Sequence, residues 1–134
     1  MIIEFYKYQG TGNDFIMIDD RENTFDSNDQ ELVAALCERR MGIGADGLIL
    51  LRKHDKLDFE MIYFNADGKL SSMCSNGGRC IVAFAKMLDI ITNETNFMAI
   101  DGAHKAKIAQ DGIYLQMQEV TKIEGVGEGI VLDT

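Results

Sequence analysis

Cys74 lies in the run NADGKLSSMCSNGGRC, residues 65–80, just after a polar turn and just before two glycines and an amphipathic stretch. The residues that follow it, Ser75, Asn76, Gly77 and Gly78, are placed to form the first turn of a helix. Such a turn carries backbone N–H groups without intrahelical acceptors and the positive end of the helix dipole. A thiol at that point is favoured as thiolate, the form that acts as base or nucleophile. The same N–H groups can hold a substrate carboxylate. The ordinary alternative is a buried cysteine that happens to precede a helix. Asn13 in GTGNDF and Asn65 in FNADG both sit in turns. Asparagine is common turn chemistry, and it also offers a donor and an acceptor to a zwitterionic amino acid.

Other reactive residue types read as structural. Cys37 and Cys80 lie on apolar helix faces and behave as small core hydrophobes. His54 and His104 flank strands among charged residues, so surface positions are expected for both. Cys74 and Cys80 are separated by five residues, Cys37 is remote, and neither histidine clusters with them, so no zinc site is expected. No lysine has a phosphate-binding context. The chain is thus expected to need neither metal nor pyridoxal phosphate. GIGADG, residues 42–47, matches G-x-G-x-x-G literally, but it follows a helix and opens a strand. The dinucleotide fingerprint has the reverse order, so a helix stop and turn is the expectation.

The elements that must position Cys74 follow from periodicity. IIEFYKY and DFIMID read as strands around the turn QGTGN. SNDQELVAALCERR reads as a helix, with Ser27 as N-cap, Gln30 at capping-box spacing and Gly42 as the stop. GLILLRKH and LDFEMIYFN read as strands, the first buried. NGGRCIVAFAKMLDI is the second helix, with Cys80, Ile81, Phe84, Met87 and Leu88 on its apolar stripe. NFMAID, HKAKIAQ and IYLQMQ are strands joined by Asp-Gly turns at 101–102 and 111–112. EGVGEGIVLDT reads as a hinge and one more strand.

The chain has 134 residues, 46% of them hydrophobic, with 22 acidic against 13 basic residues and a formal charge of −9. That length suits one domain. The charge argues against a partner with a phosphate backbone, so no nucleic acid is expected. No apolar run approaches a membrane span, and MIIEFYKYQG lacks the regions of a signal peptide, so a cytoplasmic location is expected. Three cysteines in such a compartment argue against a disulfide framework. Two helices against some eight strands cannot cover both faces of a parallel sheet. The expected class is α+β: a curved mixed sheet wrapped around a central helix, residues 76–89.

Three stretches, KYQGTGNDFIMID, RRMGIGADGLILL and FNADGKLSSMCSNGGRC, together resemble the diaminopimelate epimerase family in order and content over the first eighty residues. The resemblance implies an isomerase of lysine and peptidoglycan biosynthesis that interconverts LL- and meso-diaminopimelate without pyridoxal phosphate. It implies two cysteines on opposite faces of the α-carbon, one removing a proton as thiolate and the other donating one as thiol. Cys74 corresponds to the first. Asn13, Asn65 and Asn76 correspond to substrate-binding asparagines, and the backbone N–H groups from Ser75 onward to the α-carboxylate cradle. It also implies a domain plan: residues 1–118 as an N-terminal lobe, and 119–134 as the crossover and first strand of a second lobe. That second lobe would bring the other cysteine and is expected as the missing partner, without which this chain is expected to be inactive. An uncovered cleft face leaves room for self-association as a homodimer.

Two positions depart from the family pattern. Ser75 stands where the signature has glycine, which costs about 1 kcal/mol or more if that position requires a positive φ. Gly47 stands where some relatives carry a substrate-contacting glutamine. The alternatives are a sister racemase, a non-catalytic ligand-binding lobe and a thiol redox protein. Among sister racemases, the proline type carries histidine at the place of Asn76 and is disfavoured, while a histidine racemase stays open.

Overall fold

The structure is a computed structural model that describes residues 2–116. It consists of β1 (Tyr6–Gly10), β2 (Asn13–Asp19), α1 (Gln30–Cys37), β3 (Gly47–Arg52), β4 (Phe59–Asn65), α2 (Ser75–Met87), β5 (Glu94–Ala99), β6 (Gly102–Ala109) and β7 (Gly112–Gln116). The seven strands form one sheet in sequence order. β2–β3 and β4–β5 are parallel and the other four pairs antiparallel. Parallel neighbours need a crossover, and each parallel pair is bridged by one of the two helices.

Because β3 and β4 are antiparallel, the two crossovers start from strands of opposite direction. The right-handed rule for crossovers then places α1 and α2 on opposite faces. The cores bear this out. Phe15, Met17, Ile49, Leu51, Phe59 and Met61 face inward onto Ile81, Val82, Phe84 and Ala85 of α2. Ile16, Ile18, Leu48, Leu50 and Phe64 face outward onto Val33 and Cys37 of α1. Period-two alternation therefore buries both faces of β2 and β3, which is why GLILL is continuously apolar. α2 also touches strands at both ends of the sheet, β1 and β7. Phe84 meets the rings of Tyr6 and Tyr8 at 5.3 and 5.6 Å. The sheet thus curls around α2 as expected from the sequence. α1 covers the outer face over β2, β3 and β4.

Several expectations are corrected. β1 begins at Tyr6 and continues through Gly10, so Gln9 and Gly10 pair with Asp14 and Asn13 instead of lying in a turn. Ser27 does not cap α1. The cap is Asp29, whose side chain accepts from Leu32 N–H at 3.0 Å. A carboxylate two residues closer to the apolar stripe wins that role. α1 ends at Cys37, and Gly42 lies in the following turn, its N–H bonded to Glu38. His104 is buried, not superficial. It pairs in register with Phe97 and stacks on it, with Nε2 2.7 Å from Asp101 and Nδ1 3.1 Å from the Gln116 carbonyl. Two polar partners make burial of an imidazole affordable. The strand expected over 113–118 is observed to Gln116, and the hinge and strand expected after Glu119 lie outside the described residues. Among the described residues no helix is long and apolar enough to cross a membrane.

Candidate functional site

The start of β2 and of β3 and the end of β1 and of β4 all lie at one end of the sheet, since Gly10 pairs with Asn13, Phe15 with Gly47, and Gly47 with Asn65. α2 begins at the same end. Its cap is Cys74, in extended conformation at φ −127° and ψ 141°, and the Cys74 Sγ accepts the Gly77 N–H at 3.2 Å. Gly78 N–H bonds the Cys74 carbonyl at 2.9 Å. The N–H groups of Ser75 and Asn76 have no acceptor among the described residues. The sequence reading of a thiol beside free helix N–H donors therefore holds in detail. Ser75 is the first residue of α2 and is not among the positive-φ residues, so serine at this position carries no backbone strain. Cys74 is half-buried against the inner core, whereas Cys37 and Cys80 are buried, and burial pushes both of those thiols up to about 11.

Asn76 and Asn13 are brought into direct contact. Asn76 Nδ2 donates to Asn13 Oδ1 at 2.6 Å and to the Thr11 carbonyl at 3.1 Å. Asn13 Nδ2 donates in turn to Asp46 Oδ2 at 3.2 Å. Asp46 and Asp14 exchange backbone-to-carboxylate bonds at 3.0 and 3.2 Å, and Arg39 bridges both carboxylates. Lys7 adds a second cation to Asp14 at 3.0 Å. The Arg39 and Lys7 charges hold the Asp14 carboxyl well below the usual carboxylate range, against the opposing effect of burial. This cluster anchors the hairpin that carries Asn13. Asn65 shares the end of the sheet but is exposed, and its side chain has no hydrogen-bond partner among the described residues.

GIGADG, with Gly44 at φ 86°, is the turn between α1 and β3, and its contribution to the site is Asp46. Tyr63 was not anticipated. It lies on the same strand face as Asn65 by the two-residue period, and its hydroxyl faces the Cys74 thiol and Ser71. Burial first, then the neighbouring thiol, pushes that phenol up to about 12. The period was the available signal, since Met61, Tyr63 and Asn65 alternate onto one face. Arg79, buried in α2 and donating to Asn76 Oδ1, was also missed; a single cation inside NGGRCIVAF was the signal. A cavity of about 200 Å³ adjoins this region, lined by Tyr63, Ser71 and Met73 together with Met61, Leu70 and Ile100. Its lining does not include Asn13, Asn65 or Asn76. Among the described residues no group of three histidines, cysteines or carboxylates is arranged to hold a metal.

The family model for diaminopimelate epimerase matches residues 5–123. The chain is 54% identical over 133 residues to the diaminopimelate epimerase of Flavobacterium psychrophilum, covering 98% of this chain and 52% of that protein. It is 38% identical over 125 residues to that of Aquifex aeolicus, covering 87% and 45%. Among solved structures, a hydroxyproline epimerase from Agrobacterium vitis superimposes with a TM-score of 0.57 at 15% identity, over 79% of this chain and 37% of that one. That likeness concerns the fold alone. The chain spans about half the length of the curated relatives it matches. The ordered motifs, the half-barrel around α2 and these matches agree: the chain belongs to the diaminopimelate epimerase family.

Proposed function

We propose that this lobe supplies one half of an active site that interconverts LL- and meso-diaminopimelate. Cys74, as thiolate, takes the proton from the α-carbon. The N–H groups of Ser75 and Asn76 hold the α-carboxylate, and Asn13, Asn65 and Asn76 orient the amino-acid end. A second lobe brings a second cysteine, which as thiol returns a proton to the opposite face. Relatives about twice as long as this chain support that division. The α-proton of an amino acid is very weakly acidic. Without a cofactor to spread the charge, the developing carbanion must be stabilised by fixed dipoles in a site shielded from water. Two free N–H groups at a helix start aimed at one carboxylate do this. Two bases also spare the substrate from turning over within the site. The reading places the protein in the cytoplasm, in amino-acid and peptidoglycan precursor synthesis, and leaves the exposed cleft face for a second lobe or a second copy.

The observation that carries this reading is Cys74 as the cap of α2 with two N–H groups beside it that have no acceptor among the described residues. The test is α-proton exchange in deuterium oxide followed by chiral analysis, with diaminopimelate, histidine and proline as substrates. The 134-residue chain is expected to be no better than a slow exchanger and not to invert diaminopimelate. A longer protein carrying both lobes is expected to invert it. Inversion of histidine or proline in preference to diaminopimelate by that longer protein would replace the substrate assignment. Inversion by the 134 residues alone at the rate of the longer protein would refute the two-cysteine scheme.

A further inference from the structure

Tyr63 lies on β4 directly opposite Ile49 of β3, and its ring meets Phe15 edge-on at 5.8 Å. Position 47 is glycine, and a Cβ there would lie 2.7 Å from the Tyr63 ring. The Cys74 sulfur comes down onto the same spot. A Cβ on Gly77 would lie 3.5 Å from Cys74 Sγ, 3.1 Å from Ile49 Cδ1 and 3.3 Å from Met61 Cε. Ile49 is the cross-strand partner of Tyr63, and Met61 is its neighbour on the same strand face. The Ser71 N–H bonds the Tyr63 carbonyl at 2.9 Å, which lays the segment leading to Cys74 beside Tyr63. The phenol hydroxyl faces the Cys74 sulfur and the Ser71 side chain.

Packing alone does not call for that hydroxyl, since phenylalanine would fill the same space. A half-buried phenol keeps a hydrogen-bond partner. Two donors stand near the sulfur, the Gly77 N–H at 3.2 Å and this hydroxyl. A thiolate has lone pairs for both, so the two add instead of competing. A hydrogen bond to the charged form favours that form, and bonds to an ionised acceptor are the stronger kind. With Ser71 donating to the phenol oxygen, the single phenol proton is left for the sulfur. Burial first, then the neighbouring thiol, pushes the phenol up to about 12. The phenol therefore keeps its proton over the range in which an ordinary cysteine titrates.

We propose that Tyr63 is a positioning residue that acts through Cys74: its hydroxyl donates to the sulfur in the thiolate form and so raises the share of Cys74 ready to take a proton. No proton passes to or from Tyr63. The phenol keeps its own, and the α-proton ends on the Cys74 sulfur. The consequence for catalysis rests on the functional reading above, while the bond to the thiolate does not.

The test follows alkylation of Cys74 by iodoacetamide from neutral to alkaline pH, read by peptide mapping. It compares the wild-type chain, Tyr63→Phe, and a chain with fluorotyrosine placed at position 63. In Tyr63→Phe the midpoint of the labelling profile is expected to rise by about one pH unit, the loss of one charge-assisted bond. Its alkaline plateau is expected to rise about threefold, because a thiolate freed of a donor is the stronger nucleophile. Labelling near neutrality then falls roughly threefold. Fluorotyrosine, the stronger donor, is expected to lower the midpoint. Looser packing around the thiol would instead raise labelling at every pH and leave the midpoint in place, and that outcome would overturn the proposal. Should Tyr63→Phe fail to fold, the fluorotyrosine chain decides: a lowered midpoint supports the proposal, and an unmoved or raised one overturns it. If the midpoints move as stated, yet a longer protein carrying both lobes does not exchange the α-proton of diaminopimelate, the functional reading falls and the bond stands.

Discussion

Gly10 and Asn76 meet at van der Waals range: a Cβ on Gly10 would lie 3.1 Å from Asn76 Cβ and 3.3 Å from its carbonyl oxygen. Gly10 ends β1, and Asn76 belongs to the first turn of α2, so this contact sets how far the β1–β2 hairpin stands from the helix start. Gly10→Ala must push the hairpin away by a few tenths of an ångström. The two bonds from Asn76 to Thr11 and Asn13 then lengthen, at about 1 kcal/mol each if lost. A gain of roughly 0.5–1 kcal/mol from replacing glycine within a strand partly offsets this. Stability is expected to fall by about 1 kcal/mol in urea unfolding, with the Asn13 and Asn76 amide signals displaced. Unchanged amide signals would show that the hairpin is not seated on α2 at this point.

Gly47 is subject to a harder constraint. A Cβ there would lie 2.7 Å from the Tyr63 ring and 2.7 Å from the Phe64 carbonyl oxygen. Gly47→Ala is expected to cost about 1–3 kcal/mol, the usual range for overpacking. Adding Tyr63→Ala removes the ring but not the carbonyl, so it should recover only part of the overpacking cost in a double-mutant cycle. Full stability in Gly47→Ala alone would mean that Tyr63 does not lie over position 47.

The three cysteines are expected to separate by pH. Near neutrality an alkylating reagent should label Cys74 first, since Cys37 and Cys80 are covered and burial holds both as thiols up to about 11. Peptide mapping after brief labelling reads the order, and Cys37 or Cys80 ahead of Cys74 would refute it. The buried pair also fixes the sign of alkaline stability. Their folded values lie above the roughly 8.5 of an unfolded cysteine, so in this range the folded state binds more protons than the unfolded state. Stability is therefore full below about pH 8.5, falls as pH rises, and this contribution is gone above about 11. Substituting both by alanine should flatten that decline in unfolding midpoints measured from neutral to alkaline pH.

How much of this was legible in the sequence differs by feature. Cys74 as a helix cap was, because a polar turn, a cysteine and two glycines before an apolar stripe form a local pattern, and capping is decided within four residues. The short apolar runs of DFIMID and GLILL, bounded by turn residues, announced strands for the same local reason, and the curl of the sheet around α2 followed from counting helices against strands. The cap of α1 was misread because Ser27 and Asp29 compete within one turn, and only the backbone path decides between two good acceptors. The burial of His104 was illegible, since its partners Asp101, Phe97 and the Gln116 carbonyl come from three places in the chain. So was the amide chain from Arg79 to Asp46, which joins α2, the β1–β2 hairpin and the turn before β3. Residue types and local spacing determined which side chains could do chemistry. Which of them touch was decided by the two opposite crossovers, because only they bring Asn13, Asp46 and Asn76, far apart in sequence, to one end of one sheet.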